Sequence, residues 1–156
     1  NAGLLSAAPW LTGFLVCNTA GWVADLLLRR GQSATFVRKL MMTLGLGGVA
    51  LFTLQLPSAP SVVAGVVLTS CATGALSISN AGFATNCFDI APRYSGVIWG
   101  ISNTFGTLPG IFGVYVTGWL VDRTGSYAVP FFVTGGLALF GMIFYLLFAS
   151  GELQID

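Results

Sequence analysis

Asp89 and Arg93 flank Pro92 within the stretch 86–103, which reads Asn-Cys-Phe-Asp-Ile-Ala-Pro-Arg-Tyr-Ser-Gly-Val-Ile-Trp-Gly-Ile-Ser-Asn. A proline-broken pair of opposite charges between two long apolar runs belongs at a membrane surface, where one spanning helix ends and the next begins. A second group, Asp25 with Arg29 and Arg30, closes the first apolar run. Asp25 and Arg29 are one helical turn apart and can pair for about 0.3–0.5 kcal/mol in water. At a poorly solvated membrane rim the same charges can grip a neighbouring helix end and let go when it moves. Asp25, Arg29, Arg30, Asp89 and Arg93 are therefore candidates for a conformational latch. The plainer reading is that Arg29 and Arg30 only anchor the span at its rim.

Reaction chemistry is poorly provided for. The chain has no histidine, which removes the commonest metal ligand, the usual general base and every Ser-His or Cys-His pair. Cys17, Cys71 and Cys87 lie in apolar segments without C-x-x-C spacing and read as buried, inert thiols. There is no G-x-S-x-G and no pair of membrane-embedded aspartates. No enzyme, cofactor or metal site is expected.

The polar groups that remain lie along helical faces. Thr69, Thr73, Ser77 and Asn80 follow i, i+4, i+8 and i+11 spacing, and Asn86 and Cys87 are expected to return to that face. Hydroxyls in such a stripe can simply bond back to their own helix and allow close packing. An amide is harder to place in hydrocarbon, so Asn80 and Asn86 should face protein or water. In the next run Gly96, Gly100, Asn103, Thr107, Gly110 and Gly118 share one broad arc, opposite large apolar side chains. The G-x-x-x-G spacings there admit a second backbone, and Pro109 should kink the helix near its middle. Asn80, Asn86, Asn103 and Thr107 are the substrate-path candidates.

The elements that position these residues must cross a bilayer. Charged residues make up 7% of the chain and hydrophobic ones 55%, against about 25% charged in a soluble domain. Mean hydropathy is +0.86, and a net charge of +1 suggests no nucleic-acid partner. Five apolar stretches, about 9–28, 37–56, 62–88, 95–121 and 127–148, each approach the roughly 20 residues a spanning helix needs. They are too long and too uniformly apolar for barrel strands. The second and fifth read as packing or lipid-facing support, without a site of their own. The fold class is thus all-α, a polytopic membrane helix bundle of five transmembrane helices.

Loops one and three hold five Lys and Arg, counting Arg38 and Lys39 with the first loop, and loops two and four hold only Arg123. The positive-inside rule then places loops one and three and the tail 150–156 in the cytoplasm, and Asn1 on the far side. Asn1 is not preceded by a basic n-region, so no signal peptide is expected and the chain reads as a fragment. Gly21-Trp22-Val23-Ala24-Asp25 recurs as Gly118-Trp119-Leu120-Val121-Asp122 at the exit of the fourth span. Inverted three-helix repeats of secondary transporters generate echoes of that kind.

The stretch 86–103 closely resembles the N-H-x-D-I-A-P-x-x-A/S-G-x-x-x-G-I-S/T-N signature of one branch of the major facilitator superfamily. That branch comprises organic-anion and phosphate carriers of the vesicular glutamate, sialic acid, nucleotide and plastid phosphate types. Gly21, Asp25, Arg29, Arg30 and Gly31 similarly resemble the superfamily's G-x-x-x-D-x-x-x-R-R/K-G loop, which favours the latch. The resemblance runs over about 13–152 and implies the last five helices of a twelve-helix carrier. It implies that the third helix lines the substrate path, the first and fourth meet the opposite half, and the second and fifth brace from outside. The family's anion-binding arginines would lie upstream. Where the family usually has histidine this chain has Cys87, and a thiol will not carry a proton near neutral pH inside a membrane.

The expected function is secondary active transport of a small anion, phosphate or organic, by alternating access. Its partners would be membrane lipid, the missing N-terminal helices, the anion and Na+ or H+ as a coupling ion in symport; exchange and potential-driven movement also stay open. The alternative is a non-transporting membrane scaffold or pseudocarrier, consistent with the missing histidine. The organelle is left open.

Overall fold

The computed structural model describes residues 2–154, and their side chains over 6–154. The expected positions of Asn1 and of residues 155–156 therefore lie outside the described residues. The described residues form five long helices, α1 (Ala2–Arg29), α2 (Ala34–Gln55), α3 (Val62–Ile90), α4 (Ser95–Thr124) and α5 (Ala128–Phe148). All five are long and apolar enough to cross a membrane, and among the described residues there is no strand. The protein is an integral multi-pass membrane protein with the all-α architecture expected from its sequence.

The connections are short and their chemistry is local. Gly31, at φ 84°, ends α1: its N–H donates to the Leu28 carbonyl and that of Gln32 to the Leu27 carbonyl, which satisfies two of the orphan acceptors in the last turn of the helix. Ser33 and Ser61 then cap α2 and α3, each hydroxyl accepting from the backbone N–H of Phe36 and Ala64 respectively. Pro57 and Pro92 start single 3₁₀ turns before α3 and α4. Gly125 closes α4 in the left-handed region. Arg38 and Lys39, assigned by composition to the first loop, lie inside α2, because the Ser33 cap starts the helix at Ala34.

α3 packs between α1 and α2, and α5 lies along the far side of α2. α4 stands off this row. Ser95 is its only buried residue, Ile98, Ser102, Leu120 and Val121 are partly covered, and everything over 103–119 is exposed. Its glycines 96, 100, 106, 110, 113 and 118 would each accept a methyl group without meeting any atom within 4 Å. Large apolar side chains on the outer helices, such as Trp10, Phe14, Val114 and Phe140, are exposed as a lipid-facing or partner-facing surface requires.

Candidate functional site

The seam between α2 and α3 is made of small residues, and that is what lets a charge sit in it. A Cβ built on Gly45 would lie 2.6 Å from Ser79, one on Gly48 2.7 Å from Ala75, and one on Gly82 2.8 Å from the Arg38 carbonyl oxygen. The two backbones therefore run nearly in contact up to the end of the bundle where α1 ends, α2 begins and α3 ends. Val37 and Met41 fill the space beside Ala24 of α1 there. Arg38 emerges into this closed corner, 5% exposed.

Arg38 is matched group by group. Its Nε donates to Oδ2 of Asp89 at 2.6 Å and its Nη2 to Oδ1 at 3.3 Å, while Nη1 donates to the Ala81 carbonyl at 3.1 Å. The planar fork thus meets the carboxylate with two donors and the α3 backbone with a third. Among the described residues this is the one ion pair. Its side chains are 7% and 23% exposed, so neither charge keeps a full hydration shell and each depends on the other. Alongside, the Tyr145 hydroxyl of α5 donates to the Gly82 carbonyl at 3.2 Å. Three helices are therefore joined at one end by polar contacts.

Between α3, α4 and α5 at the same end lies a cavity of about 420 Å³. Its walls are mainly Phe83, Ile90, Ile98, Phe144 and Phe148, and its polar edge includes Asn86 and Ser102. Asn86 lines this cavity, and its Oδ1 is buried without a hydrogen-bond partner. Volume and lining suit a small organic molecule with a hydrogen-bond donor.

The other substrate-path candidates are elsewhere. Asn80, Asn103 and Thr107 are exposed and do not line that cavity; the Thr107 hydroxyl donates to the Thr104 carbonyl at 2.8 Å. Thr69, Thr73 and Ser77 bond back to the carbonyls of Gly65, Thr69 and Thr73, and Thr73 and Ser77 pack on Gly13 of α1. Asn86 does not continue that stripe. From residue 80 to 86 a helix makes about 1.7 turns, which carries Asn86 to the α4–α5 side.

The latch candidates separate in the same way. Asp25 and Arg29 share a cleft of about 100 Å³ with Trp22 and Leu26 but are not within ion-pair distance, and Arg30 and Arg93 are exposed. Asp89 turns away from Arg93 and pairs with Arg38, because the 3₁₀ turn at Pro92 carries Arg93 out of the bundle. α2 and α5, read as mere support, supply Arg38 and Tyr145. The usable signal was Arg38 itself, one turn inside a helix opened by a Ser33 cap, where a solvated loop charge has no place. Among the described residues no three of His, Cys, Asp and Glu gather where a metal ion could be held.

No family model matches the chain. Over 155 residues, 99% of its length, it is 43% identical to the Sodium-dependent phosphate transport protein 1, chloroplastic, of Arabidopsis thaliana, of which it covers 30%. It is 42% identical over 155 residues to the Ascorbate transporter, chloroplastic, of the same plant, covering 99% of the chain and 28% of that protein. With the Probable anion transporter 1, chloroplastic, of Oryza sativa subsp. japonica it shares 41% identity over 155 residues, 99% of the chain and 29% of that protein. The chain spans under a third of the length of these curated relatives.

Proposed function

We propose that the chain forms the last five spans of a twelve-helix carrier of the major facilitator type, which moves a small anion across a membrane by alternating access. The observation that carries this is the extent of the match: relatives named for phosphate, ascorbate and anion transport align with 99% of the chain at 41–43% identity. Two features of the structure support it. α4 presents a face of small residues that none of the described residues covers, as a helix needs if a second helical half is to close on it. The Arg38–Asp89 pair is an all-or-none contact at a helix-bundle end, stable when docked and readily hydrated when the helices part, which suits it to hold one of two states.

In this reading Asn86, Asn103 and Thr107 supply hydrogen bonds to the anion or its path, and Asp25, Arg29 and Arg30 meet the opposite half at the rim. The name of one relative makes Na+ the first coupling ion to test. The test is uptake of labelled phosphate and labelled ascorbate by proteoliposomes containing the whole gene product, with and without a Na+ gradient. Saturable uptake of at least one is expected. No uptake of any small anion under any gradient would leave the scaffold alternative standing.

A further inference from the structure

We propose that residues 149–154 are a strap that positions the Arg38–Asp89 clasp, with Gly151 as its fastening point. After α5 the chain does not leave the bundle. Ala149 adopts an extended conformation and the tail turns back beneath the end of the α2–α3 seam. The Gly151 N–H donates to Thr35 Oγ1 at 2.9 Å, and the Gln154 N–H donates to the Ile90 carbonyl at 2.8 Å. Thr35 stands one turn before Arg38 on α2, and Ile90 directly follows Asp89 on α3. One short segment thus grips both helices beside the two residues that form the ion pair.

The fit at Gly151 is set by approach and not by backbone angle. The residue is buried, and a Cβ there would meet the Thr35 nitrogen at 2.7 Å and the Ala34 carbonyl carbon at 2.8 Å. Both are backbone atoms of the first turn of α2, which cannot swing aside as a side chain could. Any larger residue must lift the strap or shift the start of α2, and Arg38 moves with it. Tyr145 adds a tie from α5 to the Gly82 carbonyl, next to Ala81, whose carbonyl receives Arg38 Nη1. The strap also forms part of the wall around Cys87: Ala149, Ser150 and Gln154 line the same cavity as Asn86 and Cys87. Parting α2 from α3 at this end therefore requires the strap to release, so clasp and strap open together. That this opening is a step of a transport cycle rests on the carrier function proposed for the chain; the coupling itself does not.

The test is the rate at which maleimide labels Cys87, which is 4% exposed, resolved by mass spectrometry on the whole gene product in proteoliposomes. Gly151→Ala, and separately a chain ending at Ala149, should each raise that rate about tenfold, as local opening gains population. Arg38→Gln should raise it at least as much, and Gly151→Ala combined with Arg38→Gln should be no faster than Arg38→Gln alone. Gly136→Ala, where an added methyl meets nothing within 4 Å, should leave the rate unchanged. Labelling of the half-buried Cys71 should stay constant throughout. An unchanged Cys87 rate in the truncated chain overturns the proposal even if Gly151→Ala fails to fold. So do multiplicative effects of Gly151→Ala and Arg38→Gln, or a parallel rise at Cys71, which would mean general loosening. Loss of anion uptake in every form, with the coupling intact, would count against the transport function alone.

Discussion

Arg38 and Asp89, separated by 51 positions in the chain, face each other with Nε on Oδ2 at 2.6 Å and Nη2 on Oδ1 at 3.3 Å. The pair closes the end of a seam whose closest approaches are made at Gly45, Gly48 and Gly82. Both charges lose water when the helices dock and recover it when they separate, so the net stabilisation is far smaller than the Coulomb attraction. What the pair supplies is a sharp preference for one arrangement of α2 on α3.

Removing one partner should therefore hurt more than removing both. Arg38→Gln strands the Asp89 carboxylate and Asp89→Asn strands the guanidinium, and each should destabilise the protein by about 3–5 kcal/mol. The double substitution should cost clearly less than the sum of the two. Denaturation of the three variants in detergent measures this; strict additivity would mean the two side chains are not coupled.

Asn86 holds an unpaired buried acceptor, a defect of about 1–3 kcal/mol if nothing binds there. Asn86→Leu keeps the side-chain size and removes the orphan oxygen. The thermal midpoint should rise while apparent anion affinity or selectivity changes. Asn103→Ala should alter affinity without abolishing uptake and without a gain in stability. A falling midpoint in Asn86→Leu would show that the amide serves packing alone.

Asp25 is exposed at the rim, in the cleft it shares with Arg29. Asp25→Asn should slow the transport cycle and leave expression and substrate binding largely intact. Uptake rates matching the unmodified protein would make Asp25 an ordinary interfacial residue.

No cation lies near the middle of a span: Arg29, Arg30, Arg38, Lys39, Arg93 and Arg123 all stand near helix ends or in turns, and Arg38 is already paired. Burying an anion in a low-dielectric path without a positive partner costs about several kcal/mol. The 156-residue chain alone should accordingly bind no anion, the essential arginine or lysine lying in other helices. Equilibrium binding of labelled phosphate to the purified chain in detergent checks this, and saturable binding would refute it.

Arg29, Arg38, Lys39 and Arg93 gather at one end of the bundle, together with the described part of the tail. The positive-inside rule would place that end in the cytoplasm. A glycosylation acceptor placed in 57–61 should be modified when the protein is inserted through the endoplasmic reticulum, and one placed near Gly31 should not. The reverse pattern would invert the orientation.

Helix number and membrane character were legible in the chain itself, because a bilayer demands about 20 apolar residues per crossing whatever the neighbours are. The breaks between the apolar stretches were equally legible, and Pro92 most of all, since each acts on its own backbone. Asn86 and Asp89 stood out because amides and carboxylates are expensive in hydrocarbon. Their partners did not. Whether Asp89 met Arg93, close by in sequence, or Arg38 on another helix depended on how near α2 could come to α3, and that was decided by Gly45, Gly48 and Gly82 against Ser79, Ala75 and the Arg38 backbone. The tail's return to Thr35 and Ile90 carried no periodic signal at all. Sequence periodicity reports what a helix prefers as its surroundings; only the docked helices decide which residue provides them.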